Sequence, residues 1–138
     1  MYFTQTGSVA RTLLITLVAI AAFMVIAITL LPKGFSHDTS IIGKGSNVVV
    51  LAHDKNTIYS LNLMGMLNDV RDDYAGRVEF LVVDSGSSDD RVFILKERAG
   101  PGELLLFGKD GVKREVLINI YDETILRAAL DDVFADDK

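Results

Sequence analysis

The sequence contains no cysteine. This excludes every site that needs a thiol, including disulfides, thiolate nucleophiles, iron–sulfur clusters and c-type haem attachment. The lipid-modified cysteine of a lipoprotein is excluded for the same reason. Thiol–disulfide exchange requires one sulfur that attacks and another that leaves, so the chain cannot act as a thiol oxidoreductase.

Basic residues are outnumbered by acidic ones. The chain has 14 Lys and Arg against 19 Asp and Glu, and its formal net charge at pH 7 is −5. Nucleic acids and anionic lipid headgroups both attract basic patches. We therefore expect no nucleic acid among the partners of this protein, and no docking on a charged lipid surface.

Charge, glycine and proline are all missing from residues 12–31, and 12 of these 20 residues are Leu, Ile, Val or Phe. At 1.5 Å per residue a helix of this length measures about 30 Å, the thickness of the hydrocarbon core of a bilayer. Pro32, Lys33 and Gly34 follow as a helix breaker, an interfacial cation and a flexible residue. The segment predicts one transmembrane helix, in contact with the lipid bilayer through residues 12–31.

A cleaved signal peptide is the alternative. Its apolar core is about 7–15 residues long and precedes a small-x-small cleavage site, whereas this run is longer and ends in LLPK. We therefore favour a retained anchor. The positive-inside rule is nearly balanced between Arg11 on one side and Lys33 and Lys44 on the other. An anchor before the only folded domain is most simply inserted with its N-terminus in the cytoplasm. We expect a single-pass protein of the inner (cytoplasmic) membrane, with its C-terminal domain on the periplasmic or exported side.

The sequence divides into four parts. Residues 1–11 are a short lead, residues 12–32 the transmembrane helix, residues 33–46 a linker and residues 47–138 a folded domain. Gly, Ser and single charges dominate the linker, which we expect to contain a brief extended piece at residues 41–42.

The folded domain alternates strand and helix patterns. Its first apolar run is continuous and β-branched, which is typical of a strand buried on both faces. A GKDG sequence at residues 108–111 is a hairpin signal. The patterns predict strands at 48–52, 78–83, 103–107 and 112–118, and helices at 57–74, at 89–98 and after a cap at Asp122.

Two of the predicted helices carry an apolar stripe. The stripes are Ile58, Leu61, Met64, Leu67, Val70 and Tyr74 in one, and Ile125, Leu126, Ala129, Leu130 and Val133 in the other. In the order β-α-β-α-β-β-α, the first βαβ unit is a right-handed parallel crossover, and the later hairpin adds antiparallel strands to the same sheet. Helices then cover both faces of the sheet.

This order, with two blocks of sequence, resembles a thioredoxin-like domain over residues 47–134. Residues 67–78 (LNDVRDDYAGRV) are similar to the end of the family's long active-site helix and its next strand. Residues 101–111 (PGELLLFGKDG) are similar to its cis-proline, the strand after it and a turn. The resemblance implies an α/β fold, a thioredoxin-like βαβ-α-ββα sandwich with a single N-terminal transmembrane helix. The family's own N-terminal strand and helix are replaced by the anchor and linker.

The resemblance also locates the redox positions of the family. It places Thr57, Ile58, Tyr59 and Ser60 at the Cys-x-x-Cys motif, and Leu51 at the buried acid that carries protons. Both sulfurs and the acid are therefore replaced. We interpret the domain as a thioredoxin fold kept for its shape, without thiol chemistry.

The same alignment places Gly65 at the proline that kinks the family's active-site helix, and Pro101 at its cis-proline. It therefore implies a cis bond between Gly100 and Pro101, since only X-Pro bonds adopt this form at modest cost. In this family the groove beside the cis-proline binds extended peptide through backbone pairing.

His53, Asp54, Thr57 and Ser60 are the only clustered candidates for chemistry without sulfur. The first two follow the first strand, at the edge where α/β folds bind ligands, and the last two begin a helix whose free N–H groups can hold an anion. An ordinary helix cap at Thr57 or Asn56 explains the same residues. No third metal ligand and no paired nucleophile stand nearby in the sequence. We assign no catalytic residue, no metal site and no cofactor.

Two further segments imitate ligand-binding loops. Residues 84–90 (DSGSSDD) suggest a Ca²⁺ site, but they lack the acidic spacing and the terminal Glu of an EF-hand, and a turn followed by a helix cap accounts for them. Residues 43–46 (GKGS) precede the first buried strand, whereas a phosphate loop follows one.

These observations favour a non-enzymatic interaction protein, an accessory or assembly subunit of a membrane protein complex. Respiratory and photosynthetic complexes are candidate hosts, because they often carry small single-helix subunits. A peptide-holding chaperone for exported proteins and a non-thiol enzyme are the alternatives. We expect a partner protein to contact the former active-site corner and the adjoining loop at residues 84–90. The residues proposed to bind it are Asp54, Thr57, Ile58, Tyr59, Ser60, Gly100 and Pro101.

The predicted topology is testable because any introduced cysteine is unique in the chain. We expect a Ser87→Cys variant to react with a membrane-impermeant maleimide in intact cells whose outer membrane has been made permeable. Labelling only after lysis of the inner membrane would place the domain in the cytoplasm.

Overall fold

The computed structural model describes residues 6–31 and 34–137. The chain forms two compact units, of which the first ends at Gly34 and the second begins at Phe35. The first contains a single long helix and the second an α/β domain.

Helix α1 spans Thr6–Leu30, so it begins before the apolar run. Its part from Gly7 to Leu30 has a mean hydropathy of 2.9, and its length and composition suffice to cross a membrane. Membrane anchors and N-terminal signal sequences share these properties. The hydroxyls of Thr12 and Thr16 each donate to a carbonyl one turn earlier, at 2.9 Å, so these polar groups are satisfied within the helix.

The second unit is built on a four-stranded sheet in the order β2-β1-β3-β4. Strands β1 (Asn47–His53) and β2 (Val78–Asp84) are parallel, while β3 (Leu104–Phe107) pairs antiparallel with both β1 and β4 (Lys113–Leu117). All four strands overlap the predicted positions. The parallel crossover and the antiparallel hairpin are both confirmed.

Helices α2 (Ile58–Val70), α3 (Arg91–Glu97) and α4 (Glu123–Val133) complete the predicted order. A 3₁₀ turn at Arg71–Tyr74 extends α2 to the end predicted for it. The Tyr74 hydroxyl donates to the Asp131 carboxylate at 2.9 Å and so connects this turn to α4. Burial and this hydrogen bond raise the pKa of Tyr74 to about 12.

Strand β1 divides the core into two layers, because alternate side chains point to opposite faces of the sheet. Val49 and Leu51 pack with buried side chains of α2 and α4. Val48, Val50 and Ala52 face the other way, where Phe93 and Ile94 of α3 and the pair Ile41 and Ile42 cover them.

The apolar stripe predicted for α2 is wrong at its start. The buried residues of this helix are Ser60, Leu63, Leu67 and Val70, whereas Ile58 is 77% exposed and Leu61 is 46% exposed. Thr57 caps the helix and the polar Ser60 turns inward, which rotates Ile58 to the solvent side. Hydrophobic periodicity alone could not place a buried serine in the stripe.

Residues 35–46, predicted as a linker, pack on the domain. The carbonyl of Ser36 accepts a hydrogen bond from the Val82 N–H at 3.0 Å, which covers the outer edge of β2. Phe35 packs on the α2 side of the sheet, and Ile41 and Ile42 pack on the α3 side. The extended piece predicted at residues 41–42 is instead mostly a 3₁₀ turn at Thr39–Ile41.

The cap of α4 provides a stability prediction. The Asp122 carboxylate accepts hydrogen bonds from Thr124 N–H at 2.7 Å and Ile125 N–H at 3.3 Å, as predicted for a cap at this position. We expect Asp122→Ala to lower the free energy of unfolding by about 1 kcal/mol. Asp132→Ala, at an exposed position of the same helix, is the control. Equal effects of both substitutions, measured by denaturant unfolding, would contradict the capping role.

Candidate functional site

Thr57 begins the candidate site as the cap of α2. Its hydroxyl accepts a hydrogen bond from the Ser60 N–H at 3.3 Å and donates one to the Asp54 carbonyl at 3.2 Å. The capping interpretation of the sequence is therefore confirmed. Both hydrogen bonds of the Thr57 hydroxyl stabilise the turn that leads from β1 into α2.

Ser60, which the resemblance places at the second cysteine of the Cys-x-x-Cys motif, is completely buried. Its hydroxyl oxygen accepts a hydrogen bond from the Asp54 N–H at 2.9 Å and lies 2.8 Å from Nδ1 of His53. A hydroxyl that already accepts from a backbone N–H can donate its own proton to Nδ1 of a neutral imidazole. His53, at the end of β1, is itself 7% exposed.

The pair of Ser60 and His53 has the composition of a nucleophile and its base. A nucleophile must reach its substrate, and the Ser60 side chain has no exposed surface. The pair is instead a buried hydrogen bond that fixes the start of α2 to the end of β1. Among the described residues no group of three or more potential ligands could hold a metal ion.

Tyr59 packs within its own domain. Its ring centroid lies 4.9 Å from that of Tyr121, and its hydroxyl oxygen accepts a hydrogen bond from the Ile120 N–H at 2.9 Å. A Cβ atom at Gly102 would lie 2.7 Å from the Tyr59 ring, and the φ of Gly102 is +78°. This close approach requires glycine at position 102. Tyr59 therefore joins α2 to the segments that precede β3 and α4.

Large apolar side chains remain exposed at the same corner. Ile58 is 77% exposed and Tyr121, whose ring contacts Tyr59, is 71% exposed. Leu61, one turn along α2 from Ile58, is 46% exposed. Scattered single apolar residues are common on protein surfaces, whereas a contiguous group is typical of an interaction site.

The prediction of a cis bond between Gly100 and Pro101 is wrong, since the described residues contain no cis peptide bond. The Glu103 N–H donates to the Gly100 carbonyl at 3.2 Å, with Pro101 second in the turn and Gly102, at positive φ, third. This is the pattern of a type II turn, which favours Pro and Gly at those positions with an ordinary trans bond. The Gly102 N–H donates to the Ala52 carbonyl at 2.7 Å. The backbone hydrogen bonds between this segment and β1 therefore begin at Gly102 and not at Pro101.

The loop at residues 84–90 adjoins this corner through the Ser85 N–H, which donates to the His53 carbonyl at 2.9 Å. Two of its three carboxylates accept hydrogen bonds within the loop. Asp90 accepts from the Asp84 N–H at 2.8 Å, and Asp84 accepts from the Gly86 N–H at the same distance. The turn inferred from the sequence is confirmed, but the inferred helix cap is wrong: Asp90 stands at the N-cap of α3 without a side-chain capping hydrogen bond, because its carboxylate bonds to Asp84.

The structure connects most of the predicted site residues. Asp54, Thr57 and Ser60 share direct hydrogen bonds. Tyr59 reaches the turn that contains Gly100 and Pro101 through Gly102. Sequence reasoning missed Gly102 and Tyr121; the Pro-Gly pair and the apolar residue just before the Asp122 cap were the available signals.

No family model and no curated protein matches the chain. A solved structure does match: the crystal structure of Trxlp from Edwardsiella tarda EIB202 has a TM-score of 0.57 and 14% sequence identity, over 67% of this chain and 88% of that chain. At this identity the likeness establishes the fold alone. The second unit has a thioredoxin-like fold without a Cys-x-x-Cys motif, which confirms the predicted fold class.

The buried hydrogen bonds of Ser60 predict a specific loss of stability. We expect Ser60→Ala to lower the free energy of unfolding by about 1–3 kcal/mol, because the Asp54 N–H and Nδ1 of His53 would lose their buried partner. Ser88→Ala, an exposed serine, is the control and should change stability by less than about 0.5 kcal/mol. An effect of Ser60→Ala no larger than that of the control would contradict this role.

Proposed function

We propose that this protein is a membrane-anchored, redox-inactive thioredoxin-like interaction module. It serves as an accessory or assembly subunit of a membrane protein complex, and its former active-site corner docks on a partner protein. One observation carries the proposal: the corner has turned its hydroxyls inward while it presents Ile58 to solvent. Because the chain has no cysteine, this corner can act on a partner only through its shape and its apolar contacts.

The predicted binding residues fall into an inward-facing group and an exposed group, and this arrangement supports a docking role. Thr57, Tyr59 and Ser60 make their contacts inside the domain and hold the corner rigid. Ile58 and Pro101 are exposed and available to a partner. Rigid support beneath an exposed apolar side chain is favourable for binding, because little side-chain freedom remains to be lost on association.

The anchor supports placement at a membrane. Helix α1 has the length and hydropathy of a membrane span, and the sequence after it lacks a convincing cleavage site. We propose that it is retained in the inner membrane, with the domain on the periplasmic or exported side. A module tethered in this way meets the exposed parts of other membrane proteins.

The burial of Ser60 weighs against the enzymatic alternative. The only serine–histidine pair found among the described residues is closed to substrate. Nucleophilic catalysis by Ser60 would require α2 to leave β1, and the buried hydrogen bonds of Ser60 oppose that motion.

The docking role can be tested by adding a charge at Ile58. We expect Ile58→Asp to abolish co-purification of a stoichiometric partner with the full chain from mild detergent, without a fall in melting temperature, because Ile58 is 77% exposed. Val92→Asp is a matched control: Val92 is 76% exposed and lies in the first turn of α3. Retention of the partner by Ile58→Asp, or its equal loss from both variants, would contradict docking through this corner.

A further inference from the structure

One side of α2 and of the 3₁₀ turn after it carries a distinct row of exposed residues. The row, here called the α2 stripe, consists of Ile58, Leu61, Gly65, Asp69 and Asp72. Successive members are three or four positions apart, so they lie on one face of the helix. All five are exposed, and the core-facing residues of α2 lie on the opposite side.

The first half of the stripe is apolar. No charged residue occurs from Ile58 to Asn68, although α2 is a surface helix. Surface helices of soluble domains usually carry charged residues on the side away from the core. Ile58 and Leu61 are instead exposed there. This half of the helix has the composition of a face that is covered by another molecule.

Neither the backbone conformation nor a lack of space requires glycine at position 65, in the middle of the stripe. Its φ is not positive, and a Cβ atom at this position would meet nothing within 4 Å. Glycine in a helix interior lowers helix stability relative to alanine. What a glycine does offer on an open helix face is close approach of a second helix backbone, as small residues do at helix–helix contacts.

The second half of the stripe is acidic. Asp69 and Asp72 lie at the carboxyl end of the helix, where the helix dipole disfavours negative charge. Within the part of the chain that the structure describes, neither side chain forms an ion pair or a hydrogen bond. The neighbouring Asp73, by contrast, pairs with Arg127 at 2.7 Å. Two carboxylates without an ion-pair partner among the described residues therefore lie next to the apolar half of the α2 stripe.

We propose that the α2 stripe docks one helix of a partner protein. Small or apolar side chains of that helix cover Ile58, Leu61 and Gly65, and its Lys or Arg side chains pair with Asp69 and Asp72. This inference rests on the docking role proposed above, and it specifies the surface and the chemistry of the partner.

Charge favours a basic partner helix over the other occupants of such a face. Residues 35–138 contain 12 Lys and Arg against 19 Asp and Glu, so a second copy would bring further negative charge. Anionic lipid headgroups would be repelled by Asp69 and Asp72 for the same reason. A helix with basic residues complements both halves of the stripe at once.

Site-directed photo-cross-linking of the full chain in its native membranes tests this assignment. An Asn62→Cys variant has a unique thiol beside the stripe, and it can be labelled with benzophenone maleimide and irradiated. We expect adducts with one protein, at a helical segment that carries at least two Lys or Arg residues. Mass spectrometry of the cross-linked peptides identifies the segment.

Two substitutions in the stripe, each with a matched control, connect the adducts to the proposed contact. We expect Gly65→Leu and Asp69→Lys each to lower the cross-linking yield about tenfold, the effect of a modest loss of binding free energy. Neither should lower the melting temperature, because the space at Gly65 is open and a cation suits the end of a helix. Ala128→Leu introduces the same side chain and Asp132→Lys the same charge reversal at exposed positions of α4, and both should leave the yield unchanged.

Four results would overturn the inference: adducts with a second copy of the chain, adducts with lipid alone, adducts at a segment without basic residues, or yields unaffected by both substitutions. If a stoichiometric partner still co-purifies with Gly65→Leu and Asp69→Lys, the docking role stands and the stripe is not its surface. If no partner co-purifies with the unmodified chain, the docking role itself fails.

Discussion

Strand β1 has water on neither face and at neither edge, and this constraint organises the domain. Its seven residues are all buried, it pairs with β2 on one side and β3 on the other, and its side chains alternate between two apolar layers. Each layer needs its own cover, so α2 and α4 pack on one face while α3 and residues 39–42 pack on the other. The polar end of the strand needs a partner too. The partner of His53 is the hydroxyl of Ser60. This hydrogen bond fixes the first turn of α2 and therefore the direction in which Ile58 points.

The corner where β1 leads into α2 uses its hydroxyls to hold the backbone in place. Two hydroxyls stand at the positions that the resemblance assigns to the sulfurs, and both bond inward: Thr57 closes the turn as a helix cap, and Ser60 joins the end of β1 to the start of α2. A thiolate at such a place would have to be exposed and activated, whereas these groups hold the backbone together. What remains on the outside is an apolar and acidic helix face.

Most of the fold could be predicted from the sequence, because continuous apolar strands, a hairpin signal and a helix cap are local patterns. The contacts around the site could not. Ser60 faces the core because His53, seven residues earlier and at the end of another element, provides a hydrogen-bond partner, and no periodicity contains that information. The close approach of Gly102 to the ring of Tyr59, which is 43 residues earlier in the chain, is a long-range contact of the same kind. Residues 35–46 have the composition of a linker and still pack, since Phe35, Ile41 and Ile42 find apolar surface on both faces of the sheet.

The two edges of the sheet have different protection. Ser36 bridges the edge of β2, while β4 leaves its outer edge open but carries Lys113, Arg114 and Glu115 there and has an irregular register near Phe107. Charged side chains and bulges are the features by which natural sheets resist pairing with another sheet. Copies of the domain can therefore come close together without pairing through the edges of their sheets. In the membrane-anchored arrangement proposed above, where copies would meet often, that resistance would keep each domain separate and its helical face free.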